Sequence, residues 1–543
     1  MKKKLIPFAV VLLVFAIVAG GVLYIISPVR KKEPPGPPVS IKPDALNPPP
    51  ALPEGADRIY YSEYGAVGDG IADDFGAIIA AHAAANAAGL PVCADPGAAY
   101  YIGASGRATE IQTDTYWGDA RFIIDDSVVP PEDGGFHVFR VTSALPETQI
   151  TSVETLHRGQ EKLDISLDHA SLIFVTDDTQ IRYIREGKNQ NSGSPQQEVF
   201  VVGRDGSVDA DTPVIWDYDS VSSMTAYPID PEPLTISGGR FTTISNQAPW
   251  GSPYYARGID IRRSNVVVDG LYHDITGETD GIGAPYGGFI SISRCANVLV
   301  CNTMLSSHQS VASGTYDIGL GDAANVTFRE CWQLNSIHDD SLWSIMGSNH
   351  CKNLTYDTVE LSRFDAHQGV WNATIKNSVI RRISLIGGGT ALIENTKIYG
   401  TEVVNLREDY GSTWDGDIAI RNCEFIPIST VTGPAVIAST NKGLHDFGYA
   451  CRMPRKISID GLAVDDAALP AWWTGPQVFS HNLEYTLGKL WHSIKKFFGA
   501  KTEFYPYGLP EEVEIHGLAV SSGKRYLRSV NPFLFRKLKG SKS

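Results

Sequence analysis

Four charged clusters in the second half of the chain hold residue types that do acid–base chemistry. His338, Asp339 and Asp340 stand together, and a cation, a carboxylate and an imidazole alternate at Arg363, Asp365 and His367. Two arginines follow at Arg381 and Arg382, and Arg407, Glu408, Asp409 and Tyr410 run consecutively, with Trp414 and Asp415 close behind. Two neighbouring carboxylates resist ionising together, so one keeps its proton as a general acid while the other acts as base or nucleophile. That is the chemistry of glycosidic-bond cleavage, which sets its carboxyls about 5 Å or about 6.5–9.5 Å apart. Asp365, Asp339 and Asp340, with Asp409 and Glu408 as further candidates, are the expected catalytic carboxylates. Arg363 would keep one ionised and His367 would orient it. An extended segment puts Arg363, Asp365 and His367 on one side, with Phe364 and Ala366 turned away. Arg407, Tyr410, Trp414, Trp371, His338 and Arg382 are the expected substrate contacts. The competing reading is structural, since Asp and Arg at chain corners also cap turns and pair with one another. Asp339, Asp340 and Asp365, with His367 beside them, could form a Ca²⁺ site through their carboxylate oxygens, but no EF-hand spacing is present, and no metal or cofactor is expected.

The elements that must position these residues repeat. Asn265-Val-Val-Val, Asn297-Val-Leu-Val, Asn325-Val-Thr-Phe, Asn353-Leu-Thr-Tyr and Asn372-Ala-Thr-Ile share a register that Thr390-Ala-Leu-Ile and Asp417-Ile-Ala-Ile continue. The steps are 32, 28, 28, 19, 18 and 27 residues. One short strand per step of this length marks a β-solenoid, in which each coil buries its face against its neighbours. Steps of 18 and 19 are close to bare coils, so the longer ones carry corner loops. The charged clusters fall in or beside those loops. Coils about 4.8 Å apart would bring carboxylates of neighbouring coils into the required range. Asn325, Asn353 and Asn372 each begin a glycosylation sequon. A ladder of stacked turn asparagines explains the whole column, including Asn265 and Asn297, which lack one.

The N-terminus predicts export. Lys2 to Lys4 precede an uncharged apolar run from Leu5 to Ser27, long enough to span a bilayer. Residues 1–30 are therefore expected to be a single transmembrane anchor, and the Pro-rich residues 31–56 an extended linker. The body would then lie outside the cytoplasm. The net charge of −15 argues against a nucleic-acid partner. Seven cysteines without a CxxC pair give no zinc or redox signal.

At Tyr64 the chain reads YGAVGDGIADDFG, then an Ala-rich helix closed by Gly89, then a Pro96-Gly97 turn leading to Tyr100. This stretch resembles the N-terminal signature of the pectate lyase superfamily, in its rhamnogalacturonase/epimerase-like group. Asp69, Gly70, Asp73, Asp74, Pro96, Gly97 and Tyr100 carry the likeness, while Phe75 and Ile79 stand where the family has Thr and Gln. The resemblance implies an all-β, right-handed parallel β-helix whose helix caps the first coil, with Asp69, Asp73 and Asp74 structural. The β-helix is expected over 57–466, with an irregular antiparallel insertion near 137–235. Further coils are expected over 467–543, interrupted by an amphipathic helix at 482–498 that docks on the body. The resemblance also implies work on carbohydrate. A glycoside hydrolase acting on a polysaccharide in a groove is the first expectation. A lyase or epimerase of uronic-acid chains is the alternative, and a non-catalytic surface glycan binder the third. The Gly-His-Gly and Arg-Ile-Lys motifs of polygalacturonases are absent.

Overall fold

The computed structural model describes residues 58–187, 192–249, 251–279, 282–309, 314–428, 434–470, 472–479 and 483–529. The expected anchor and Pro-rich linker lie outside them. Among the described residues no helix is long and apolar enough to cross a membrane.

The body is a parallel β-helix. Each coil runs through three short strands that pair in parallel with their counterparts one coil on. The first face stacks Val266–Asp269, Ala296–Cys301, Ala324–Arg329 and Lys352–Asp357. The second stacks Tyr272–Thr276, Met304–Leu305 and Trp332–Gln333. The third stacks Phe139–Val141, Ile259–Ile261, Ile290–Ser293, Ile318–Gly321 and Met346–Asn349. The 19- and 18-residue steps are bare coils, and there the chain turns corners within single strands, Glu360–Lys376 and Val379–Glu394. Alternate residues point inward, so Val266, Val298, Val326 and Leu354 form one buried column under the first face.

The asparagines open that face. Asn297 donates to Asn265 (2.9 Å), Asn325 to Asn297 (3.0 Å), Asn353 to Asn325 (2.8 Å) and Asn372 to Asn353 (2.8 Å). All five have φ between 56° and 61°, a left-handed turn that Asn tolerates better than other residues with a Cβ. The sequon nitrogens of Asn325, Asn353 and Asn372 are thus used inside the ladder.

Helix Phe75–Ala88 closes the first coil. It buries Phe75, Ile78, Ala81, His82 and Ala85, one stripe at helical spacing. Asp74 accepts from the backbone of Val67 (2.6 Å) and Gly68 (3.2 Å), and Asp73 from Phe75 (3.0 Å). Both thus brace the turn that enters the helix.

Between the third-face strand Phe139–Val141 and the next strand of the body, Leu234–Ile244, the chain leaves the coil. It forms an antiparallel sheet of Thr148–Gln149, Ser171–Arg182, Ser194–Val202 and Ser223–Pro228. This sheet has its own core and packs Leu172 and Val199 on Ala296 and Ala324. A buried ion pair between Lys352 and Glu198 (2.6 Å) fastens it. The insertion therefore stands at the corner between the third and first faces, beside the third face.

Candidate functional site

The third face forms an open groove. Its outward positions are small: Ser291, Gly319 and Gly347 follow one another in register, as do Ser293, Gly321 and Asn349. A side chain at Gly319 would strike the carbonyl of Gly287, and one at Gly347 the ring of Tyr316; at Gly321 nothing lies within 4 Å. Tyr254 and Tyr316 rise on the loops that join the second face to the third. With these small residues and His367 they line a cavity of about 370 Å³.

The groove ends where Glu360–Lys376 crosses the third face. Asp365 is wholly buried there, paired with Arg363 (2.8 Å) and Arg407 (3.4 Å) through one oxygen. Its other oxygen has no hydrogen-bond partner among the described residues. Arg407 also binds Asp409 (2.8 Å), which receives Arg185 of the insertion (2.7 Å). Burial raises the Asp409 carboxyl, but the hydrogen bond and charge of Arg407 and the charge of Arg185 outweigh it, so it sits below the usual range. His367 Nδ1 lies 2.7 Å from the side-chain amide oxygen Oδ1 of Asn349, an acceptor that favours the tautomer with its N–H on Nδ1 and Nε2 as the free acceptor. Burial pushes the imidazole down to about 4, against the opposing charge of Asp365. His367 is therefore neutral at neutral pH, on the wall of the cavity.

Of the residues singled out in the sequence, Arg363, Asp365, His367, Arg407, Asp409 and Tyr410 meet at this place. Tyr410 is buried with its ring edge-on to His367 (5.3 Å), and its hydroxyl receives Gln368 (3.1 Å). It supports the imidazole and offers no open stacking face. Arg382 follows Arg363 in register one coil on, and Glu408 is exposed in the turn Glu408–Tyr410. The rest lie elsewhere. Asp340 pairs with Arg381 in the loop after Trp332–Gln333, where Asp339 caps its own turn through Ser341 (2.8 Å). His338 packs on Tyr399 of the second face. These three occupy a different face from Asp365 because their loop folds back over the second face. Trp371 lies on the first face beneath Arg158, and Trp414 is fully buried, its indole N–H bonded to the Gly389 carbonyl (3.1 Å). Their registers put both outside the groove of the third face. Asp365 itself is sealed by two arginines, whereas a directly acting acid needs exposure. Among the described residues no cluster of three or more His, Cys, Asp or Glu is arranged to hold a metal.

Sequence reasoning missed Tyr254, Tyr316, Asn349, Arg185 and the glycine floor. The signal was present in GTYDIGLGD and SIMGSNH, where small residues take alternate positions of two successive strands.

No family model and no curated protein matches the chain. Among solved structures it is similar to the tailspike gp61 of Pseudomonas phage phi297, at 14% identity over 86% of this chain and 81% of that one, with a TM-score of 0.47. It is similar to the gp54 tailspike of Acinetobacter baumannii bacteriophage AP22, solved in complex with A. baumannii capsular saccharide, at 11% identity over 86% and 75% with a TM-score of 0.48. The surface adhesin PfbA of Streptococcus pneumoniae is a third likeness, at 14% identity over 87% and 93% with a TM-score of 0.41.

Proposed function

We propose that the protein binds an acidic polysaccharide along its third face and removes the proton beside a uronate carboxylate, with His367 as the base. The neutral imidazole carries this reading: Asn349 fixes its Nδ1–H, and burial keeps Nε2 free of a proton down to about pH 4. Unprotonated, it can accept a proton, and a uronate bound beside it would raise its pKa toward the working pH, where a base is most effective. The uronate carboxylate must be neutralised as the adjacent carbon gives up its proton. Three guanidinium groups, Arg363, Arg407 and Arg185, surround two carboxylates, Asp365 and Asp409, so one positive charge is left over beside His367. Nε2 takes the proton. In a lyase the electron pair forms a new C=C bond, the bond from the next carbon to the glycosidic oxygen breaks, and that oxygen takes a proton from water in the open groove. In an epimerase water from the open groove gives a proton to the other side of the carbon, and the hydroxide left behind takes the proton from Nε2. The glycine floor leaves room for sugar rings, and Tyr254 and Tyr316 stand beside it.

Hydrolysis is the second reading, favoured by the single Arg407 that bridges Asp365 and Asp409. It requires one carboxyl to hold a proton, and Asp409 is drawn the opposite way. A panel of polysaccharides tests both. A lyase leaves unsaturated ends that absorb in the ultraviolet, a hydrolase reducing ends alone, and a binder neither. The apolar run from Leu5 to Ser27 supports a body tethered to a membrane and working outside the cytoplasm.

A further inference from the structure

Helix Leu483–Phe497 docks on the body by one side only. Tyr485 packs against Phe504 (5.5 Å) and Tyr507 (5.9 Å), and His492 against Phe504 (5.3 Å) with its Nδ1 bonded to the Thr502 hydroxyl (2.9 Å). A side chain at Gly488 would collide with the Lys442 carbonyl, so the glycine lets the helix lie directly on the loop beneath. At 3.6 residues per turn, Leu487, Leu490, Trp491, Ile494, Phe497 and Phe498 fall within roughly a 120° arc on the opposite side. That arc faces solvent: Trp491 is 53% exposed, Phe497 81% and Phe498 74%.

Charge says what covers it. The chain carries −15 overall, yet residues 483–501 hold four lysines against the one acidic Glu484. Lys489, Lys495 and Lys496 flank the docked side of the helix, so their long stems can run beside the apolar stripe toward a negative surface. A second copy of the same helix would bring like rims of lysine face to face. An apolar stripe of Trp, Phe and Leu edged by Lys is the composition of a helix lying in a membrane interface. We infer that this stripe seats on the surface of an anionic bilayer, a contact separate from the N-terminal apolar run and from the groove.

The test uses the full chain reconstituted in vesicles, with Phe498→Cys carrying an environment-sensitive fluorophore. The seven native cysteines are all buried, so the label goes to the new thiol. In vesicles containing phosphatidylglycerol the emission should shift to the blue and be quenched by lipids brominated on their acyl chains. A label at Ile71→Cys, an exposed position near the capping helix, should stay in water. Replacing Lys489, Lys495 and Lys496 together with Gln should weaken the insertion at least about tenfold. The inference fails if the 498 label stays solvent-exposed in anionic vesicles, or if the lysine replacements leave its quenching unchanged. It also fails if the label is buried without lipid in a way that grows with protein concentration, which would mark a second copy as the occupant.

Discussion

Along the first face the coils repeat one another. The asparagine column, the outward threonines at 327, 355 and 374 and the inward column of Val and Leu hold the same register from coil to coil. Along the third face the same coils change: Ser291 gives way to Gly319 and Gly347, and where the next coil crosses, Asp365 lies buried beneath two arginines. A repeated column solves one packing problem many times, and each residue in it is explained by its neighbours above and below. A broken column needs another cause. Here flanking loops, an inserted sheet and a cluster of charges all gather at the break, and it is there that a neutral imidazole meets an open cavity.

The comparison can be strained at several points. Asp365→Asn leaves Arg363 and Arg407 buried beside a neutral amide, and breaking a buried pair in this way costs about 3–5 kcal/mol. Chemical denaturation should show that loss even where activity can still be measured. An Asp365→Asn protein of unchanged stability would mean that the cluster is solvated.

The pH dependence of stability offers a second strain. The His367 imidazole sits near 4 when folded and near the ordinary 6.5 when unfolded. Between those values the unfolded chain binds the extra proton, so stability is held above about pH 6.5 and lost as the pH falls toward 4. The contribution over the whole window is on the order of 3 kcal/mol. Denaturation midpoints of His367→Gln should fall less steeply with acid than those of the native chain.

On the regular face, Asn325→Ala removes two rungs of the ladder and puts a Cβ without a polar group at φ 56°. A loss of about 1–3 kcal/mol is expected, with turnover unchanged. Loss of activity at full stability would blur the division between the faces. The smallest change in stability is expected at Gly321→Leu, within about 0.5 kcal/mol, because its Cβ would enter open space at an unstrained φ. Its side chain would fill the groove, so retention of polysaccharide on an affinity gel should fall sharply.

The first face was legible in the sequence because asparagine at a left-handed turn and inward aliphatic residues recur at fixed steps. The capping helix was legible too, from Asp73, Asp74 and Gly89. The Asp365 cluster was found through residue type, yet its burial was not, because the arginines that seal it come from 42 residues away and from two residues before. Arg185 was beyond reach, since it belongs to an insertion whose docking depends on Glu198 meeting Lys352. The sequence does not separate His338, Asp339 and Asp340 from the corner of Asp365, because coil spacing fixes which coil a loop leaves but not the face over which it folds. Trp414 looked like a sugar platform on composition alone, while its register turned it into the core.

The proposed activity stands on one step, the transfer of a proton from a uronate ring to His367. The most direct measurement is an NMR spectrum of uronic-acid polysaccharides incubated with the full chain in D₂O. The native protein should give either unsaturated ring signals or deuterium at the carbon beside the carboxylate. His367→Gln, folded and stable, should lose that signal by roughly 10²-fold or more. New reducing ends with neither signal, formed equally well by His367→Gln, would contradict the account and leave hydrolysis in its place.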